Sequence, residues 1–172
     1  MWAKKVSNQA QLNYLLMLMK PIQTEHRLIR IGANTDGGYL LPNDLGGINC
    51  CLSPGVDIAA TFEVNLSEVG IPSYLLDYSV EDSPVFNPRF TFRKNYLGAH
   101  DHAEFISLRT WFKDIKESPD CLLQMDIEGY EYEVLENMSN EEFLKFRIMV
   151  IEFYSLSSIV NPYFYRDYLK IL

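Results

Sequence analysis

The chain has 172 residues, 48% of them hydrophobic and 22% charged, a normal balance for one globular domain that can bury a core. Its formal net charge of -8 and pI near 4.8 argue against a nucleic-acid partner, because that binding relies on clustered Lys and Arg to neutralise phosphates. Cys50, Cys51 and Cys121 are odd in number and lie in apolar runs, so buried free thiols in the reducing cytoplasm are expected and a disulfide framework is not.

Leu12, Leu15, Leu16 and Met19 recur at helical spacing, which predicts an amphipathic helix over residues 11–19, ended by Pro21. That apolar stretch is too short to span a bilayer, so no membrane partner is expected. Short strands over residues 27–31 and 39–41 flank Asn34-Thr35-Asp36-Gly37-Gly38, where Asp-Gly signals a hairpin. From Ile48 onward, short apolar runs alternate with helical stretches, the pattern of βαβ units on a parallel sheet. Five strands are predicted, over residues 48–52, 73–76, 89–93, 121–125 and 148–153. Helices are predicted over residues 59–69, 108–115 and 131–138, and Ser139-Asn140-Glu141-Glu142 forms a capping box for a further one. A helix after Pro162 carries four aromatics, suited to core packing or to a dimer contact. The expected layout is a single α/β domain with a doubly wound, mostly parallel sheet. Residues 1–47 supply a helix and hairpin, 48–155 the core and 156–172 an aromatic segment.

In such sheets ligands bind beyond the carboxyl ends of the strands, near the switch in strand order. Ser53, Pro54, Gly55 and Val56 form the first strand-to-helix turn, where free N–H groups can receive a ligand. With one glycine this turn is no pyrophosphate fingerprint, but it leaves room for the amino-acid end of S-adenosylmethionine. Asp77 ends the second strand with Tyr78 beside it, about 20 residues on, where a carboxylate can accept both ribose hydroxyls of a nucleoside. Met125-Asp126-Ile127-Glu128-Gly129-Tyr130-Glu131 crowds three carboxylates at the fourth strand-to-helix junction. The helix dipole accounts for Glu131. Asp126, at a buried strand tip, can take a proton from a hydroxyl, bind a metal or face a sulfonium. Glu152 places an acid in an otherwise apolar strand and needs a partner or a solvated strand end. Asp126, Glu128 and Glu152 are therefore the catalytic candidates. A divalent ion held by Asp126 with Glu128 or Glu152 is the alternative to direct proton transfer. In the polar loop after the third strand, His100 and His102 read as ordinary loop residues.

Asp36-Gly37-Gly38-Tyr39, Ser53-Pro54-Gly55-Val56 with Phe62-Glu63, Leu76-Asp77, Met125-Asp126-Ile127-Glu128-Gly129 with Glu131 and Val134-Leu135, and Val150-Ile151-Glu152 together resemble, in this order, the FkbM-type methyltransferases. The resemblance implies a Rossmann-like methyltransferase fold, S-adenosylmethionine as cofactor across the first two strand ends, and O-methylation of a hydroxyl on a sugar, glycan or other small metabolite. Many members have a second glycine where Asp57 stands. The stretch after Ser155 is short for the final helix and antiparallel pair that complete such sheets, which predicts an edge at the fifth strand and a homo-oligomer covering it. The competing readings are a non-catalytic binding domain on the same fold and a glycosyltransferase using Asp126-Ile127-Glu128 as a metal site.

Overall fold

The computed structural model describes residues 6–115 and 120–171. Helix α1 (Gln9–Leu18) starts at Asn8, whose side chain caps Gln11 N–H while the Gln11 side chain caps Asn8 N–H. Strands β1 (Leu28–Gly32) and β2 (Gly38–Pro42) pair antiparallel with Leu28 opposite Pro42 and Gly32 opposite Gly38, which is the predicted hairpin. There follow β3 (Cys50–Pro54), α2 (Thr61–Glu68), β4 (Ser73–Leu76), β5 (Phe90–Arg93), the short pair β6 (Tyr96–Leu97) and β7 (Phe105–Ile106), and α3 (Leu108–Trp111). The chain continues through β8 (Cys121–Met125), α4 (Glu131–Asn137), α5 (Asn140–Phe143) and β9 (Phe146–Ile151) to α6 (Pro162–Ile171).

Five parallel strands form the main sheet in the order β5-β4-β3-β8-β9. The order reverses between β3 and β8, so the crevice lies beyond Pro54 and Met125. Both strands are buried along their whole length, because helices or the hairpin cover both faces. Side chains alternate across the sheet. Cys50, Leu52, Cys121 and Leu123 pack with Trp111, Val134 and Leu135. Cys51 and Leu122 turn to the other face, against Phe62, Leu66, Ile31 and Leu41. Burial of Phe62 and Leu66 on α2 contributes about 1.5–3 kcal/mol each and locks the hairpin over that face.

Strand β9 ends two residues earlier than expected, at Ile151. Glu152 thus lies just past the strand, its N–H still bonded to Met125 O, and the residue is exposed. This resolves the expense of an acid in an apolar run, since the solvated strand end was one of the two solutions. The predicted helix over 108–115 divides into α3 and a 3-10 turn over Phe112–Asp114. The pair β6 and β7 was not anticipated, because two-residue strands leave no periodic signal. Strand β9 is an edge of the described sheet. Its Val150 packs against the hairpin cluster, and its Arg147 pairs with Asp44 and Asp120.

The aromatics of α6 are used inside the chain. Tyr165 and Tyr168 are buried with Leu15 of α1, and Tyr132, Phe153 and Phe164 pack around them. Tyr132 meets Phe164 at 4.9 Å and Phe153 meets Tyr168 at 5.3 Å between ring centroids. Core packing is therefore the observed role of this segment, while Tyr163 stays exposed. No helix among the described residues is long and apolar enough to cross a membrane.

Candidate active site

A cavity of about 890 Å3 opens beyond the carboxyl ends of β3, β4 and β8. Its floor depends on one close approach. Gly55, at φ +83°, sits where an added Cβ would come within 1.7 Å of the Asp126 carbonyl oxygen. Only glycine allows the β3 turn and the β8 turn to touch in this way.

Two non-glycine residues on the cavity wall also occupy the left-handed region, Asp57 at φ 46° and Glu128 at φ 57°. Such conformations cost free energy and persist where neighbours hold them. Asp57 is held by Asp77, whose Oδ2 accepts its N–H at 2.9 Å. Glu128 is held by the turn that Glu131 organises, in which Glu131 Oε1 accepts the N–H groups of Ile127 and Gly129 at 2.9 and 3.1 Å. Glu131 is fully buried, in the first turn of α4, and its recorded bonds go to the turn before the helix, with no side-chain cap on the helix itself.

Asp77, Gly55 and Val56 line the cavity together. Asp77 is 5% exposed, and its Oδ1 accepts from Ser79 N–H and Oγ at 2.8 and 2.7 Å. It therefore ties two loops as well as facing the cavity. Asp77→Ala is expected to cost about 2 kcal/mol of stability through these charge-assisted bonds and to weaken S-adenosylmethionine binding roughly tenfold to a hundredfold. Wild-type affinity in calorimetry would remove Asp77 from the site.

The other turn residues face elsewhere. Pro54 is buried in β3. Ser53 is buried too, and its hydroxyl contacts Glu63 and lies 2.7 Å from Gln124 Oε1. One hydroxyl proton cannot serve both acceptors. Burial pushes the Glu63 carboxyl pKa up, and a protonated Glu63 that donates to Ser53, which donates to Gln124, satisfies every partner. Tyr78 stands outside the cavity wall, packed on Tyr96 at 5.2 Å with Lys94 Nζ 5.3 Å from its ring centroid. Tyr96 and Phe105 are 5.2 Å apart, Phe105 and Tyr130 5.0 Å, and all three line the cavity.

Asp126 and Glu128 are on the cavity wall, and Asp126 is close to Glu152 through a third residue, Tyr39 of β2. The Tyr39 hydroxyl donates to Glu152 Oε2 at 3.0 Å and lies 3.5 Å from Asp126 Oδ2. Burial, then the charges of Glu152, Glu128, Glu131 and Asp36, push Asp126 up to about 6. Asp36, Asp126 and Glu152 bring one carboxylate oxygen each within 4.8 Å of one another. The Tyr39 hydroxyl donates into this group. Tyr39, Asp36, Glu63 and the ring wall were not singled out as site residues from sequence. Tyr39 precedes Asp126 by 87 positions, and nothing local connects them beyond the shared motif set.

A parallel sheet with this strand order, a glycine turn against an acid-bearing β8 junction and a cavity over both define a Rossmann-like methyltransferase. The family model for the methyltransferase FkbM domain matches residues 28–170, and the chain belongs to that family. No curated protein and no solved structure shows a significant match to the chain.

Proposed function

We propose that the protein is an S-adenosylmethionine-dependent O-methyltransferase of the cytoplasm, acting on a hydroxyl of a sugar, glycan or other small metabolite. The observation that carries this reading is Asp126, a half-buried carboxyl raised to about 6 on the wall of a cavity next to Gly55. A hydroxyl is a poor nucleophile until its proton leaves, and a base with a pKa near the working pH takes it best. When bound, the cofactor supplies a methyl group on a positively charged sulfur. The residues present fit it: the cavity is large enough for a nucleoside with an amino-acid arm, Asp77 faces it, and the Gly55 turn leaves the space that a side chain would fill. Asp126 and Glu128 line the cavity, and their carboxylates favour the departure of a proton there. The cytoplasmic setting is supported by three buried cysteines that form no disulfide among the described residues. A homo-oligomer over the β9 edge remains part of the proposal on the grounds that natural sheets protect edges.

Calorimetry on the purified chain tests the reading. S-adenosylmethionine and S-adenosylhomocysteine are expected to bind, while NAD and a nucleotide sugar give no heat. Binding of a nucleotide sugar alone would replace methyl transfer with glycosyl transfer.

A further inference from the structure

Polar residues line the seam between the hairpin and the sheet. Glu63 on α2 meets Ser53 on β3, and Ser53 meets Gln124 on β8. Gln124 and Tyr39 of β2 both line the cavity, and Tyr39 donates to Glu152 beyond β9. At the outer end of the seam a single phenolic hydrogen stands among three acidic side chains, and those three differ in solvent access. Asp126 is half-buried at the cavity, whereas Asp36 and Glu152 are exposed. Asp126 lines the cavity, and Glu152 is not among its lining residues.

We propose that Tyr39 is a positioning residue that joins Asp126 to Glu152 through its one proton, so that a proton taken by Asp126 leaves for solvent by way of Glu152. This rests on the methyl-transfer reading above. In the chemical step the acceptor oxygen forms a bond to the methyl carbon as the carbon–sulfur bond breaks, and the electron pair stays on sulfur. The hydroxyl proton passes to Asp126 Oδ2. Asp126 then donates to the Tyr39 oxygen while the Tyr39 hydrogen moves to Glu152 Oε2, from which water removes it. Atoms and charge balance without a further reactant. The phenol stays un-ionised throughout, in keeping with burial and the neighbouring Asp126 and Glu152 charges, which push its pKa upward.

The groups facing Tyr39 fix the expected signs. Asp126 from the β8–α4 junction and Glu152 from beyond β9 act on Tyr39 itself, while Asp36 from the hairpin turn and Glu128 and Glu131 from the junction act on Asp126. No Lys, Arg or His is among the described residues lining the cavity. Protonated Asp126 gains a hydrogen bond to the Tyr39 oxygen, so removing that oxygen destabilises the neutral acid and lowers its pKa. Removing the Glu152 charge lowers it as well.

The experiment is a carboxyl-carbon NMR titration of the whole, ligand-free chain, which needs no identified acceptor. In the native protein the Asp126 midpoint is expected near 6, with the Tyr39 ring carbon bearing oxygen showing an inflection at the same pH. Tyr39→Phe keeps the edge contact with Phe62, at 5.8 Å between centroids. It is expected to lower the Asp126 midpoint by about half a unit or more, roughly a threefold loss of proton affinity. Glu152→Gln, at an exposed position that leaves the ring in place, should also lower the midpoint, and the double variant should go no further than Glu152→Gln alone. Unchanged titrations in Tyr39→Phe, additive effects in the double variant, or a Tyr39 ring carbon that ignores the Asp126 midpoint would each overturn the role. Failure of the methyl-transfer reading is seen separately, as absence of S-adenosylmethionine binding in calorimetry.

Discussion

Gly55→Ala is expected to destabilise the fold by about 3 kcal/mol or more, the sum of about 1–2 kcal/mol for a side chain in the left-handed region and about 1–3 kcal/mol for overpacking. The physical cause is the 1.7 Å approach of the new Cβ to the Asp126 carbonyl oxygen, a backbone group in the turn directly after buried β8, as Gly55 is directly after buried β3, so neither can swing aside. Relief would require β3 and β8 to part at the crevice, so cofactor binding should fall with stability. Gly70→Ala is the control, because Gly70 has φ +92° with nothing within 4 Å of its added Cβ. That variant bears only the backbone strain, about 1–2 kcal/mol. Denaturant midpoints at unchanged slope measure both. Equal losses at the two glycines would show that the contact with Asp126 carries no energy of its own.

Asp126→Asn is expected to lower methyl transfer to any acceptor that the native enzyme uses by about a hundredfold to ten-thousandfold, with S-adenosylmethionine affinity little changed. Asn keeps the shape of the side chain and removes its charge and basicity. The native rate should rise with pH through about 6, as Asp126 loses its proton. Stability moves the other way. The folded carboxyl titrates at about 6, above the ~3.9 of an unfolded Asp. The folded state therefore binds more protons between those values, and stability falls as pH rises across that window. Asn escapes this loss, so its melting temperature at pH 7 should equal the native value or lie slightly above it, by a modest amount because Asp126 is partly solvated. Turnover that survives chelator is expected for direct proton transfer to Asp126. Loss of turnover on chelation, restored by Mg²⁺, would instead make the carboxylates metal ligands. Full activity in Asp126→Asn would end its catalytic assignment, and an unfolded variant would make it part of the strand-end scaffold.

The amino-acid sequence alone determined the order and type of the main elements. Apolar runs such as Cys121 to Met125 and the helical stripe of Phe62 and Leu66 report burial directly, and the hairpin and both capping residues, Ser139 and Glu142, declare themselves through local hydrogen bonding. The positions of Gly55, Asp77 and Asp126 were legible for the same reason, since a strand end is a local feature and the sheet topology puts strand ends at the ligand. What each of those residues does was decided by tertiary structure. Ser53 stands only two residues before Gly55 but still within β3, where alternation turns its hydroxyl inward to Glu63 and Gln124. Glu152 became an exposed acid only because β9 stops at Ile151. Tyr39 belongs to a hairpin that folds back over the sheet, and its meeting with Asp126 and Glu152 depends on the packing of Ile31 and Leu41 against Phe62 and Val150. Contacts of that kind join residues far apart in the chain through nonlocal burial, which no spacing within a single element encodes.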